Sequence, residues 1–327
     1  MNHHYAPALG AGYCFGVDLG GTKVSAAIGD LNGRIVAEST EPTDQCGAHQ
    51  IIDQIAALAR RLALSAGVDV RTIRSVMVGI PGVVDPHTGN ISLAPNIKSL
   101  ADLNVLQCLK RYFGPEVALE NDVNLAILGE HAEGHARGLR NCAFLSLGTG
   151  AGLGLLIDGN LVRGASGAAG EIGYLPIGRD TTSLAALTTG AFELEVGSLA
   201  IVQQYQLAGR APIANVRDVF SLLQDGDAIA EDVLDATARS VALGVTALQA
   251  ILDLEVIVLG GSIGARPELV ERIRRAMPTV FARPVNIARS QLGTRAGLIG
   301  AVRAAASRSS DHAFANSAAT EGSTHVS

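Results

Sequence analysis

The sequence predicts an α/β protein built from two related domains, and two observations carry that prediction. The pattern strand, glycine turn, strand occurs twice, first in 14-CFGVDLGGTKVSAAIGD-30 and again in 143-AFLSLGTGAGLGLLIDG-159. Leu19-Gly20 of the first copy can be laid on Leu147-Gly148 of the second, which indicates an internal duplication. The length of 327 residues is long for one domain and typical of two.

The first half alternates between strand and helix patterns. Strands are predicted where apolar runs end in turn residues, and helices where apolar residues recur every three or four positions. The second half repeats the strands of the first and adds a glycine-rich loop and several helices. The predicted strands are at 14–20, 24–30, 35–40, 74–82, 117–120 and 255–261, with three further strands separated by two turns within 143–162. The predicted helices are at about 48–66, 102–113, 121–137, 190–207, 228–252, 266–277 and 294–308.

These patterns predict an N-terminal domain over 12–121, completed by the C-terminal helix at about 294–307, and a second domain over 122–293. The tail over 308–327 is rich in Ser, Ala and Thr and has no apolar periodicity, so we expect it to be disordered.

Composition limits the partners and the compartment. The net charge is −6 and no run of Lys or Arg stands out, which argues against nucleic-acid binding. The four cysteines form no CxxC pair, as is typical of a reduced, cytoplasmic protein. We find no signal peptide and no apolar stretch of about 20 residues, so we expect no membrane partner.

The two glycine turns match neither of the common phosphate-binding loops. In the first turn the order Thr22-Lys23 reverses the Walker A order, and in both turns a strand follows where Walker A and Rossmann loops require a helix. Each turn therefore joins two strands of a hairpin, and the backbone amides of such turns can hold phosphate. The predicted phosphate-binding residues are Gly20, Gly21, Thr22 and Lys23 in the first turn and Gly148, Thr149 and Gly150 in the second.

Asp18 closes the strand just before the first turn, where a carboxylate can hold Mg²⁺ directly or through water. Two alternatives stay open at this point. Lys23 either adds positive charge to a phosphate or faces water, and the whole unit is otherwise an ordinary hairpin with a solvated acid.

Two such turns, one in each half, can hold one polyphosphate from opposite sides, as in the actin-like ATPase fold of two RNase H-like domains around a nucleotide and sugar cleft. The chain resembles the ROK family of repressors, open reading frames and sugar kinases over about 14–305. The motifs that carry the resemblance are 18-DLGGTK-23, 79-GIPGVVD-85, 94-APN-96, 120-ENDVNLAILGE-130, 147-LGTGAGLGLLIDG-159, 170-GEIG-173 and 259-LGGSIG-264.

The resemblance implies an ATP-dependent kinase that phosphorylates a hexose or related sugar, with Mg-ATP as cofactor and a homodimer as the assembly. Asp122 is implied as the general base, whereas the sequence alone also allows Asn121 and Asp122 simply to cap a helix. The resemblance also implies that the loop at Gly260 and Gly261 lies against the adenosine of ATP. The implied sugar-binding residues are Asn96, Asn121, Asp122, Glu171 and Glu193, although Glu193 is also compatible with an ordinary helix position near Glu195.

The chain departs from the family at its zinc motif. Most members read GEIGH followed by CxCGxxGCxE, whereas here position 174 is tyrosine and 178–195 holds neither cysteine nor histidine. A structural zinc needs about four N or S ligands, so we expect no zinc. This departure keeps a catalytically silent sugar- or nucleotide-binding relative as the main alternative. A sugar-responsive repressor and a polyphosphate-dependent kinase are further alternatives, and the sugar, its hydroxyl and the phosphate donor stay open.

Overall fold

The structure is a computed structural model, and it describes residues 12–85, 88–92, 103–209 and 212–321, with side chains described as far as residue 309. Contacts divide the chain into two compact units. The first unit takes its described residues from Met1–Ala132, Gly164–Ala168 and Arg295–Ser327. The second unit comprises the described parts of Glu133–Arg163 and Ala169–Thr294.

The first unit contains a five-stranded sheet in the order β3-β2-β1-β4-β7. Strands β1, β2 and β3 are antiparallel neighbours, while β4 and β7 continue the sheet parallel to β1. A short pair, β5 and β6, forms a separate ribbon. The strands are β1 (Tyr13–Leu19), β2 (Lys23–Asp30), β3 (Ile35–Pro42), β4 (Ile73–Ile80), β5 (Val83–Val84), β6 (Ile91–Ser92) and β7 (Val117–Asn121).

Helices cover both faces of this sheet. Residues 15, 17 and 19 of β1 point to a core shared with the first two helices, as the alternation of side chains along a strand requires. Cys14 lies on the other face, in a cluster with Leu298 and Val302 of the last helix. The helices of this unit are α1 (Ala48–Ala66), α2 (Val105–Phe113), α3 (Asp122–Glu133) and α11 (Ala296–Glu321).

The second unit repeats the same strand arrangement in the order β10-β9-β8-β11-β12. Strands β8, β9 and β10 are antiparallel, and β11 and β12 run parallel to β8. The duplicated topology predicted from the sequence is therefore present. The strands are β8 (Cys142–Leu147), β9 (Ala151–Ile157), β10 (Asn160–Leu161), β11 (Val256–Gly260) and β12 (Ile287–Arg289).

The helices of the second unit differ from the predictions in two respects. The helices over Leu184–Thr189, Val216–Gln224 and Gly261–Gly264 have no predicted counterpart, and one predicted helix is divided. The single helix predicted over 190–207 is two helices, because the chain changes to an extended conformation at Gly197, whose backbone lies against Thr149 O. The helices are α4 (Leu184–Thr189), α5 (Glu193–Val196), α6 (Ser198–Leu207), α7 (Val216–Gln224), α8 (Ala228–Leu252), α9 (Gly261–Gly264) and α10 (Pro267–Val280). None of the helices in the described part of the chain has the length and apolar content that a bilayer-spanning segment needs.

Two boundaries also differ from the sequence prediction. Helix α3 groups with the first unit, whereas the prediction started the second domain at Asp122. Helix α11 extends to Glu321, through most of the segment expected to be disordered. Alanine has the highest helix propensity, and the alanines beyond position 308 favour continuation of the helix without requiring an apolar face.

Helix α11 approaches its neighbours closely because glycines line the contact. A Cβ atom built at Gly16 of β1 would lie 2.6 Å from Val302 N. One built at Gly300 would collide with Leu125 O of α3, and one at Gly129 would collide with Ala296 O. The backbones of α11, β1 and α3 therefore pack directly against one another, and this contact sets how α3 sits on the sheet.

We expect Gly300→Ala to lower the free energy of unfolding by about 2–3 kcal/mol, because overpacking against backbone cannot be relieved by a side-chain rotation. The sign is opposite to the gain of about 1 kcal/mol that alanine has over glycine in an open helix. Urea denaturation measures the change. The matched control is Ser307→Ala, at an exposed position of the same helix, which should change stability by less than about 0.5 kcal/mol. Equal stability of the two variants would contradict the close contact.

Candidate active site

The first glycine turn joins β1 to β2 and is supported through its carbonyl groups. Gly20 N donates to Lys23 O at 2.9 Å and closes the turn. Thr43 Oγ1 donates to Gly20 O at 2.7 Å, and Gln45 Nε2 donates to Gly21 O at 3.0 Å. The carbonyl groups of the turn thus attach it to the chain that follows β3.

The second glycine turn joins β8 to β9 and has a different support. Gly148 N donates to Gly150 O at 2.9 Å, and Ser198 N donates to Gly148 O at 2.9 Å. The amide of Ala151, directly after the turn, donates to Glu193 Oε2 at 2.9 Å. A predicted phosphate turn and a predicted sugar-binding carboxylate are therefore bonded within one unit.

In both turns, the backbone amides of the second and third residues are available to a ligand. The first glycine of each turn uses its N–H to close the turn, so the predicted donors Gly20 and Gly148 do not offer theirs to a ligand. Within the described chain, the amides of Gly21 and Thr22, and of Thr149 and Gly150, have no hydrogen-bond partner. The side chains of Thr22, Lys23 and Thr149 are exposed. Each turn can thus give an anion two amides and a hydroxyl.

Asp18 is mostly buried beside the first turn, on the face of the sheet that α11 covers. A Cβ atom built at Gly297 would lie 2.8 Å from Asp18 Oδ2, so the glycine leaves room for the carboxylate. Burial raises the pKa of Asp18 from 3.8 to about 6, against the opposite effect of the Lys23 ammonium. A hard oxygen ligand at this position fits the preference of Mg²⁺ for carboxylates.

Asp122 is the first residue of α3, and its neighbours do the capping. Asn121 Oδ1 accepts from the amides of Val123 at 2.9 Å and Asn124 at 3.1 Å. Buried Glu120 in turn accepts from Asn121 N at 3.0 Å and from Asn124 Nδ2 at 2.9 Å. The half-buried carboxylate of Asp122 accepts from Val123 N at 2.9 Å. The cap and the acid are thus separate residues.

The register of the parallel strands places Asp18 and Asp122 at one edge of the first sheet. Asp18 of β1 is opposite Gly79 of β4, and Gly79 is opposite Glu120 of β7. The first turn leaves β1 and α3 leaves β7 at the carboxyl ends of these strands, which is where ligands bind in open α/β sheets. The structure therefore brings together Asp18, the first turn and the start of α3.

Glu171 and Glu193 lie close together in the second unit. Burial raises the pKa of Glu171, and the nearby Glu193 carboxylate raises it further. Burial also raises the pKa of Glu193, while the hydrogen bond from Ala151 N opposes that shift. A Cβ atom at Gly150 would collide with the Glu193 carboxylate, so the turn and this acid are in direct contact.

The loop at Gly260 and Gly261 lies beside the second turn. A Cβ atom at Gly261 would collide with the Leu147 backbone, and one at Gly148 would lie 3.3 Å from Ser262 Oγ. The second unit thus gathers the second turn, the two glutamates and this loop at the carboxyl ends of β8 and β11.

A sequence model of the ROK family matches residues 14–308. The chain belongs to the ROK family. The topology of the two sheets and the structural similarities below confirm the predicted fold class, an α/β protein with two related domains of the actin-like ATPase fold.

Three ROK relatives show the extent of the similarity. The ROK hexokinase from Thermus thermophilus superposes with a TM-score of 0.80 at 31% identity, covering 91% of this chain and 99% of that one. A ROK glucokinase from Streptomyces griseus, solved with glucose and AMPPNP, gives a TM-score of 0.74 at 28% identity, covering 90% and 99%. The β-glucoside kinase of Listeria monocytogenes is 29% identical over 87% of this chain and 94% of its own.

One predicted residue of this ROK chain, Asn96, lies outside the described residues. Sequence reasoning also missed several residues that support the site, namely Thr43, Gln45, Glu120, Ser198 and Gly297. Only Glu120 had a detectable signal, because it is an acid inside an apolar strand pattern directly before Asn121. The others are distant in sequence from the groups they support.

The zinc motif of other ROK proteins does not fit here. Tyr174 Oη donates a hydrogen bond to Thr188 O at 3.2 Å, and the surrounding segment has no cysteine or histidine. Within the described residues, no group of three or more His, Cys, Asp and Glu side chains is arranged to hold a metal ion.

We expect Asp18→Asn to stabilise the protein at pH 7.5. Because the folded-state pKa of Asp18 is raised, ionising it costs more in the folded than in the unfolded chain, so its contribution to stability falls as the pH rises from about 4 to about 6. The shift corresponds to about 2 kcal/mol after allowance for residual exposure. Urea denaturation at pH 7.5 and pH 4 measures it.

The advantage of Asp18→Asn should fall to about 0.5 kcal/mol at pH 4, where the wild-type carboxyl is protonated in the folded state and about half protonated in the unfolded chain. Asp232→Asn, at an exposed acid, is the control and should change stability by less than about 0.5 kcal/mol at either pH. An Asp18→Asn variant that is less stable than wild type at pH 7.5 would show that the carboxylate is not desolvated.

Proposed function

We propose that the chain is an ATP-dependent sugar kinase that transfers the γ-phosphoryl group of Mg-ATP to a hydroxyl of a hexose or related sugar. One observation supports the proposal: Asp122, the first residue of the helix whose N-terminus Asn121 caps, lies at the same sheet edge as the first glycine turn. The relatives named hexokinase, glucokinase and β-glucoside kinase support the same reaction class.

The two turns are proposed to bind the phosphates of ATP. Phosphoryl transfer depends on positioning and on neutralising charge, and the amides of Gly21 and Thr22 and of Thr149 and Gly150 can do both. Lys23, exposed at the end of the first turn, adds a positive charge. Gly260 and Gly261 lie next to the second turn, where a bare backbone suits the adenosine of the same nucleotide.

Asp18 is proposed to hold Mg²⁺, directly or through water. When bound, the ion neutralises charge on the phosphates. The buried position of Asp18 keeps the carboxylate fixed between β1 and Gly297, so it needs no reorganisation to receive a cation. No structural zinc belongs to the proposal.

Asp122 is proposed to act as the general base. As the new bond between the sugar oxygen and the γ-phosphorus forms and the bond to ADP breaks, the hydroxyl proton passes to the Asp122 carboxylate. A helix N-terminus stabilises negative charge, which suits an acid that must be ionised before the reaction. The proposed sugar ligands are Asn96, Asn121, Asp122, Glu171 and Glu193, whose carboxylates accept strong hydrogen bonds from hydroxyls.

We expect the purified protein to release ADP when supplied with Mg-ATP and at least one sugar from glucose, fructose, mannose, allose, N-acetylglucosamine and N-acetylmannosamine. A coupled ADP assay measures turnover, and parallel reactions with inorganic polyphosphate identify the donor. Sugar-induced thermal stabilisation without turnover from either donor would favour a silent binding protein instead.

We expect Asp122→Asn to lower kcat by about 10³-fold while sugar binding, measured by thermal shift, stays close to wild type, because a general base contributes to the transition state more than to the ground state. Asp225→Asn, an exposed acid at the C-terminal end of α7, is the matched control and should leave kcat unchanged. Near-normal turnover of Asp122→Asn would remove this residue as the base.

A further inference from the structure

Residues 170–197, which we name the carboxylate segment, carry both Glu171 and Glu193. The segment starts against β9, where Leu153 N donates to Gly170 O at 3.1 Å. It ends at Gly197, directly before Ser198, whose amide donates to Gly148 O of the second turn. Between the two glutamates it contains a short 3₁₀ helix over Ile172–Tyr174 and helix α4.

The chain just after Glu171 is fastened to the chain just before Glu193. Phe192 N donates to Gly173 O at 3.0 Å, and Tyr174 Oη donates to Thr188 O at 3.2 Å. Gly190 has φ of +103°, and a Cβ atom there would collide with Gly173 O. The backbone near Glu171 and the backbone near Glu193 are therefore in contact, and the exposed Tyr174 side chain adds a second link between them.

A second bond fastens the middle of the segment. Glu195 Oε1 accepts from Arg179 N at 3.0 Å. Asp180 Oδ1 accepts from the amides of Thr182 at 3.1 Å and Ser183 at 3.0 Å, so the loop before α4 is also internally bonded. Glu195 belongs to α5, the helix that begins at Glu193, so its position and that of Glu193 are linked.

The two glutamates need such support because they repel one another. Both are partly buried, and the Glu193 carboxylate disfavours ionisation of Glu171 where solvent screens the charges poorly. Glu193 is restrained by Ala151 N, whereas the contacts that restrain Glu171 come through the backbone of residues 172–174.

We propose that Tyr174 is a positioning residue for the sugar site, whose hydrogen bond to Thr188, together with the Glu195–Arg179 bond, holds Glu171 and Glu193 in place without a metal ion. The inference rests on the proposed function only for the identity of the ligand, a sugar hydroxyl. The segment offers no zinc ligands of the N or S type, so cross-linking by hydrogen bonds takes the place that a metal has in relatives with the full motif.

Tyr174→Phe tests the tyrosine. We expect the KM for the sugar to rise about threefold, with the KM for ATP and the melting temperature nearly unchanged, because one neutral hydrogen bond at a half-exposed site contributes modestly. Tyr112→Phe is the matched control, since Tyr112 is a similarly exposed tyrosine in the first unit whose hydroxyl is bonded to Asp53. It should leave both KM values as in wild type.

Two substitutions of Glu195 separate the effect of its hydrogen bond from the effect of its charge. Glu195→Ala removes the acceptor for Arg179 N and should raise the sugar KM about threefold. Glu195→Gln keeps a carbonyl acceptor and should restore the wild-type value. Equal effects of the two variants would assign the role of Glu195 to its charge and would contradict a positioning role.

Hydrogen exchange and metal analysis test the inference without activity. In Tyr174→Phe the amides of residues 172–175 and 188–193 should exchange about threefold faster than in wild type.

The purified protein should contain no stoichiometric zinc, and a zinc chelator should leave its melting temperature unchanged. Bound zinc, or unchanged exchange together with an unchanged sugar KM, would overturn the inference. A wild type that turns over no sugar would contradict the proposed kinase instead, and hydrogen exchange would still decide the role of Tyr174.

Discussion

The first unit depends on the direct backbone contact between α11, β1 and α3. Glycines at Gly16, Gly129 and Gly300 allow an approach that any side chain would prevent. Since β1 ends at the first glycine turn and α3 begins at Asp122, the contact determines how far the turn, which we propose binds phosphate, lies from the acid. A helix from the end of the chain thus positions groups that are a hundred residues apart in sequence, and small deviations in such positioning cost catalytic rate steeply.

The two units share a strand arrangement, but different kinds of residue support their glycine turns. Both units have a β-hairpin turn whose first glycine closes the turn and whose next two amides remain available. In the first unit, Thr43 and Gln45 support that turn and have no chemical role of their own in the proposed reaction. In the second unit, the corresponding support comes from Glu193 and Ser198. The position of Glu193, a proposed sugar ligand, and the geometry of the second turn are therefore linked through one hydrogen bond.

Absence of the family's zinc motif changes what the carboxylate segment needs. A tetrahedral metal site fixes four positions strongly, whereas the bonds through Tyr174 and Glu195 are individually modest and partly exposed. Elsewhere in the molecule, the buried carboxylate of Asp18 costs folding free energy and lies beside the first glycine turn, where we propose that it holds Mg²⁺.

The sequence by itself determined the repeated strand–turn–strand pattern, the hairpin nature of both glycine turns and the candidate residues at the strand ends, because these depend on local periodicity and turn chemistry. Its resemblance to ROK proteins added the chemical roles. Only the tertiary structure decided that Asn121 rather than Asp122 caps α3. It also decided that the amides of Gly20 and Gly148 close their turns, and that the Glu193 carboxylate contacts Gly150. These outcomes depend on contacts between residues far apart in sequence, and no local pattern encodes which distant backbone will come within hydrogen-bonding distance.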